Sequence, residues 1–148
     1  MYDIVLEGDV RVRARLERMR AAAPALLSVA LTAGAMPLTN RARQVCPYRT
    51  GNLRRSIHFS IVTLAGMYAE GKVGSNLVYA RIQEEGGTIV PVNAKMLHWV
   101  DPDTGEDIFA RKVEIPPRPY LRPAADETYM LVGAETGRAL ALQLVRVP

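Results

Sequence analysis

Apolar and polar positions follow three successive rhythms along the chain. Residues 2–7 alternate and are partly β-branched, which predicts a first strand. From residue 10 the period lengthens. Asp9 can cap a helix over residues 10–22, rich in Arg and Ala, and Pro24 suits the first turn of a second helix, where its missing N–H costs nothing. Leu27, Leu31, Leu38, Ala42 and Val45 then fall on one stripe at helical spacing. Pro37 is expected to kink or split this helix, and Pro47 to end it.

After Thr50-Gly51 the period drops to two. The run Ile57 to Leu64 and the run Tyr68 to Gly74 alternate as strands, joined by a hairpin turn at Leu64-Ala65-Gly66-Met67. Leu77 to Glu85 reads as a short helix, with Asn76 as its cap and Gly86-Gly87 as its stop. A second strand pair follows, Met96 to Val100 and Ile108 to Ile115, around the polar turn Asp101-Pro-Asp-Thr-Gly-Glu-Asp107. Pro116-Pro-Arg-Pro119 is an extended exit, and a last helix can start near Pro123. Met130, Ala134, Gly137, Ala141 and Leu144 mark one face of it. Its end, residues 140–147, also alternates, so a terminal strand stays open.

These elements predict an α+β fold: a small antiparallel β-sheet of about four or five strands with N-terminal helices and a C-terminal helix packed on it. At 148 residues the chain makes one domain, with a helical part over 1–46, a sheet part over 57–115 and a C-terminal helix over 120–146. The composition is 49% apolar, 23% charged and only 6% aromatic, so the core must draw on Leu, Val, Ile and Ala. No charge falls between Arg20 and Arg41, but this stretch holds Pro24, Gly34, Pro37 and many alanines. It is too weakly hydrophobic for a membrane span and reads as a buried helix.

Charge is unevenly placed. Residues 1–55 hold ten arginines against four acids, and the remainder is slightly acidic, within a net charge of +4. Such polarity suits a subunit that stacks on a partner or lies near nucleic acid, beside the plainer reading of solvated helix faces. The single Cys46 cannot form an internal disulfide and reads as a buried structural thiol. The N-terminus lacks the basic and apolar regions of a signal peptide, which implies synthesis in the cytoplasm.

Four sets of residues superficially suggest chemistry. Gly66 to Val73 nearly matches a phosphate-binding loop, but Val73 stands where Ser or Thr must hold magnesium, and Lys72-Val73-Gly74 reads as strand. Asp101, Asp103 and Asp107 have neither the glycine nor the bidentate acid of a calcium loop at the required positions. Glu84 and Glu85 are adjacent, so on a helix they point about 100° apart and do not converge on one atom. His58 and His98, the only histidines, have no Cys or His at ligand spacing. No catalytic constellation, cofactor site or metal site follows.

Three segments carry a resemblance. Cys46 to Ile57 resembles the P-x-x-T-G-x-L-R-x-S-I segment of bacteriophage tail-completion and head–tail joining proteins. Val78 to Thr88 is similar to that family's Y-A-x-x-x-E-x-G-T segment, with Gly86-Gly87 in place of a single glycine. Ile115 to Ala124 is similar to its I-P-x-R-P-F-L-x-P-A segment, with Tyr120 for the usual Phe. Residues 89–113 resemble the insertion of Mu-like virion morphogenesis proteins. The resemblance implies a non-enzymatic ring subunit, hexameric or dodecameric, in the neck or tail region of the virion. Its partners would be copies of itself, neighbouring connector and tail proteins and, in passing, genomic DNA, with no membrane. Candidate subunit contacts are Arg49, Arg54, Arg55, Glu84, Glu85, Arg118 and Tyr120. Arg118 sits on a stiff proline-flanked backbone and suits a carboxylate, either on a neighbour or within its own chain. Arg11, Arg13, Arg15, Arg18 and Arg20 would face the lumen or a partner. A basic DNA-binding module using those five arginines is the alternative, and a small hydrolase a distant third.

Overall fold

The computed structural model describes residues 9–145 and shows an α+β chain in the order α1 (Asp9–Val45), α2 (Asn52–Ser56), β1 (His58–Ala65), β2 (Tyr68–Gly74), α3 (Ala80–Glu85), β3 (Gly87–Ile89), β4 (Leu97–Val100), β5 (Asp107–Ala110), β6 (Val113–Ile115) and α4 (Leu121–Val145). The strand predicted over residues 2–7 lies outside the described residues. The last helix runs to Val145, which excludes a terminal strand up to that point.

α1 is a single helix of 37 residues, not two helices broken at Pro24 and Pro37. Each proline removes one backbone bond, at about 3 kcal/mol in an isolated helix interior. Here tertiary packing outweighs that penalty: α1 packs along α4 and against both strands of the β1–β2 hairpin. The polar residues of its uncharged run satisfy themselves. The hydroxyls of Ser28, Thr32 and Thr39 donate to the carbonyls of Ala25, Ser28 and Ala35 at 2.8, 2.7 and 2.8 Å.

α4 runs antiparallel to α1. Leu140 and Leu144 lie near Leu16 and Met19, Thr136 lies against Gly34, and Glu127 pairs with Arg41. The seam is made of small residues: Ala23, Ala30, Ala35, Ala42 and Ala124 are all buried. A Cβ on Gly34 would meet the Thr136 hydroxyl at 1.8 Å, so only glycine lets the backbones approach this closely. On α4 the inward face is Ala124, Thr128, Val132, Thr136 and Leu140. The predicted face was misplaced: Met130 is 79% exposed, Ala134, Gly137 and Ala141 are exposed, and only Leu144 lies in the seam. The hydroxyls of Thr128 and Thr136 donate to the carbonyls four residues back, which lets these threonines take seam positions that hydrophobicity alone does not mark.

Among the described residues, six strands pair as three separate two-stranded antiparallel ribbons rather than in one sheet. β1–β2 turns through Gly66-Met67, with Gly66 at φ +56°, and carries a bulge between Ile61 and Thr63. The Phe59 ring covers Gly71, where a Cβ would lie 2.2 Å from it. β3 pairs with β6 and β4 with β5, because the chain breaks at Arg111-Lys112 and the two halves of the predicted strand take different partners. α4 packs chiefly on α1 and has no extensive contact with any described strand.

α3 starts three residues later than predicted, and Asn76 does not cap it. The Ser75 hydroxyl instead accepts the Leu77 N–H at 3.1 Å in a preceding turn, which the Ala80 N–H closes onto the Leu77 carbonyl. The main core cluster sits at the C-terminal end of α1, where Ala42, Cys46, Leu53, Ile57, Ala80, Tyr120 and Ala124 meet.

Candidate functional site

The three segments singled out in the sequence converge on one corner beside that core. Pro47 ends α1, and Gly51, at φ +77°, turns the chain into α2. No side chain caps α2; the Asn52 carboxamide oxygen accepts from Arg55 at 2.7 Å instead. The Arg43 guanidinium ties α1 to the end of α2 by donating twice to the Ile57 carbonyl, at 3.0 and 2.6 Å. The Ser56 and Ser75 hydroxyls meet at 2.7 Å.

The second and third segments are joined by backbone and carboxylate bonds. The Arg118 N–H donates to the Gln83 carbonyl at 2.7 Å. The Glu84 carboxylate accepts the N–H groups of Tyr120, Leu121 and Arg122 at 2.7, 2.9 and 2.9 Å. It therefore fills the role of an N-cap for α4, whose own preceding residues, Pro119 and Tyr120, have no capping side chain. Burial alone would push the Glu84 carboxyl up. The three N–H donors and the Arg122 charge outweigh it and hold the carboxyl below the usual range. Gly86, at φ +72°, lies so close to the third segment that a Cβ would meet the Pro117 nitrogen at 2.8 Å.

Glu84 and Tyr120 were expected at a subunit contact; the structure gives both roles inside the chain. Tyr120 is 1% exposed, and its hydroxyl is pushed up to about 12 by burial and by the nearby Glu84 and Cys46. Cys46 is buried, its thiol raised by desolvation against the pull of Arg54.

The other candidates lie on the surface. Arg49 and Arg118 line an open cavity of about 540 Å³ together with Tyr48, Tyr79 and Gln83. No carboxylate among the described residues pairs with the Arg118 guanidinium. Arg54 and Arg55 line a neighbouring shallow pocket with Asn40, Arg43 and Gln44. Glu85 is exposed and bonded to Arg81 at 2.8 Å. Arg11, Arg13, Arg15, Arg18 and Arg20 are exposed at the other end of α1, about 39 Å away by helical rise from Arg20 to Cys46.

Sequence reading missed Tyr48, Tyr79 and Gln83 as cavity walls. It also missed the cap made by Glu84, whose signal was a helix beginning after Pro119-Tyr120 with no side chain of its own able to cap it. The chemical repertoire of the cavity is recognition: guanidinium groups and tyrosine hydroxyls suited to a carboxylate or phosphate. Residues 66–73 form the hairpin turn and part of β2, with no helix N-terminus for phosphate. Asp101 accepts the Asp103 and Thr104 N–H groups in a turn. Among the described residues no three His, Cys, Asp or Glu side chains group to hold a metal.

Residues 11–86, just over half of the chain, match the HK97-gp10-like family, described as "Bacteriophage HK97-gp10, putative tail-component". The chain belongs to this family. No curated protein and no solved structure matches it. The matched range runs from the first turn of α1 through α3 and takes in the first converging segment and most of the second. The third segment, the β4–β5 ribbon and α4 lie beyond it. Membership in the HK97-gp10-like family supports a structural tail-component role, a place in the virion and contacts with other tail proteins.

Proposed function

We propose that the chain is a non-enzymatic ring subunit at the phage neck or the head-proximal end of the tail, where it joins head to tail or completes the tail. The observation that carries this reading is the convergence of the three segments on one corner, around a cavity lined by Arg118, with which no carboxylate among the described residues pairs. A body this firmly tied, with cations at its rim, suits a building block that docks on neighbours. A ring also requires two different contact surfaces on each subunit. The chain offers two basic regions at opposite ends of one helix. Copies of the chain, as hexamer or dodecamer, and adjoining connector and tail proteins are the partners.

The test is electron microscopy of purified particles, with the chain identified by mass spectrometry. A ring containing it at the head–tail junction is the expected result, and absence of the chain from particles overturns the reading. A second reading, a DNA-binding accessory module, is favoured by the five exposed arginines of residues 11–20. It requires DNA affinity that falls with salt at a log–log slope of about −0.9 per phosphate contacted.

A further inference from the structure

Among the described residues, two surfaces are left uncovered. The first is the β4–β5 ribbon, whose strands pair with each other and pack substantially on no other element. In its register His98 faces Phe109 and Val100 faces Asp107, so these four share one face. That face is open: Phe109 is 60% and Val100 56% exposed, with the His98 ring stacked on Phe109 at 4.6 Å. Its tip is acidic, with Asp101, Asp103, Glu106 and Asp107 within seven residues, while Lys95 and Arg111 lie at its base. Asp101 is engaged by the turn and Asp107 by His98 at 2.6 Å, which leaves Asp103 and Glu106 projecting from exposed positions. A lone two-stranded ribbon is marginally stable in water and gains from cover on its apolar side.

The second surface is the N-terminal end of α1. Val12, Leu16, Met19 and Ala23 stand at i, i+4, i+7 and i+11, which continues the seam stripe of α1 past the end of α4. Val12 and Leu16 are 58% and 59% exposed. Arg11, Arg15 and Arg18 flank the stripe on one side, and Arg13 and Arg20 on the other. Where the stripe meets the end of α4 and the hairpin tip, Leu16, Met19, Leu27, Met67, Leu140 and Leu144 enclose an apolar groove of about 390 Å³, with Arg20 at its edge.

We infer that the β4–β5 ribbon of one copy docks on this groove and helix end of the next copy. Val100 and Phe109 cover the apolar stripe, and Asp103 and Glu106 meet the arginines beside it. The two surfaces complement each other twice: aromatic and aliphatic side chains against an apolar groove, and an acidic tip against a basic border. They are different patches of one chain, so the contact is heterologous and propagates head to tail, as ring closure requires. This inference rests on the ring reading above and specifies its contact.

The test is charge reversal on each side, in a phage whose own copy of the gene is replaced. D103K/E106K and R15E/R18E alter exposed residues only, and thermal melts of the purified variants establish that each is folded. Like charges facing each other across a contact repel, so each pair alone lowers the amount of chain in purified particles about tenfold or more. The fourfold variant carrying both reversals restores it. Rings at wild-type level in both single-side variants overturn the contact and leave the ring reading standing. Loss with R15E/R18E alone also overturns it, and assigns the helix end to DNA or to another protein. Wild-type chain absent from particles overturns both.

Discussion

The corner at the end of α1 and the β4–β5 ribbon belong to one chain, yet they are held by opposite means. The corner is fastened from several sides: Arg43 on the Ile57 carbonyl, Glu84 on three backbone N–H groups, and Tyr120 buried among Ala42, Leu53, Ile57 and Ala124. The ribbon has its own ladder and an exposed aromatic face. The corner therefore governs whether the protomer folds, and the ribbon governs what the folded protomer can touch. Marginal overall stability makes this division consequential, since the loss of one or two well-placed bonds at the corner is a large share of the total.

The strongest challenge to the comparison is Tyr120→Ala. Emptying this fully buried aromatic site costs about 3–5 kcal/mol, so chemical denaturation of the whole domain should shift strongly. A small shift would show that the corner is not the keystone. Next, Glu84→Ala leaves three first-turn N–H groups of α4 without their acceptor and costs about 2 kcal/mol. The Glu84 carboxyl is held below its unfolded value, so its contribution is present above the unfolded pKa and lost as pH falls through the folded one. Glu84→Gln should flatten that part of the acid limb of a stability–pH curve.

Tyr120 works in the other direction. Its hydroxyl is raised from 10.0 to about 12, so the folded chain holds a proton that the unfolded chain loses, and stability should fall between pH 10 and 12. Tyr120→Phe removes that alkaline loss, readable by circular dichroism against pH. The smallest effect belongs to the ribbon. Phe109→Ala should change folding stability by about 0.5 kcal/mol or less, as at other exposed positions. A larger loss would mean that the ribbon supports the body after all.

Much of the architecture was legible in the sequence, because periodicity records burial. The hairpin, the two glycine turns at Gly51 and Gly86, and the stripe over Leu27 to Val45 all stand. What failed shares a physical cause. Pro24 and Pro37 announce breaks by local rules, but the seam with α4 is a long-range feature that overrides them. The inward face of α4 uses Thr128 and Thr136, whose hydroxyls are silenced by their own helix and so do not register as core. Glu84 looked like a surface acid because its three donors lie 36 to 38 residues away. The partition of residues 97–115 between two ribbons depends on partners that no local pattern names.

The joint between α3 and the start of α4 has a further consequence. Residues 83–84 grip residues 118 and 120–122 directly, and β3 pairs with β6 just inside that grip. Everything between Ile89 and Val113 is thus a loop whose ends are already closed. The entropy of a closed loop rises only slowly with length, by about 0.6 kcal/mol for each doubling. Descendants of this chain can lengthen, shorten or rewrite that stretch at little cost to folding, because the joint that closes it lies outside it.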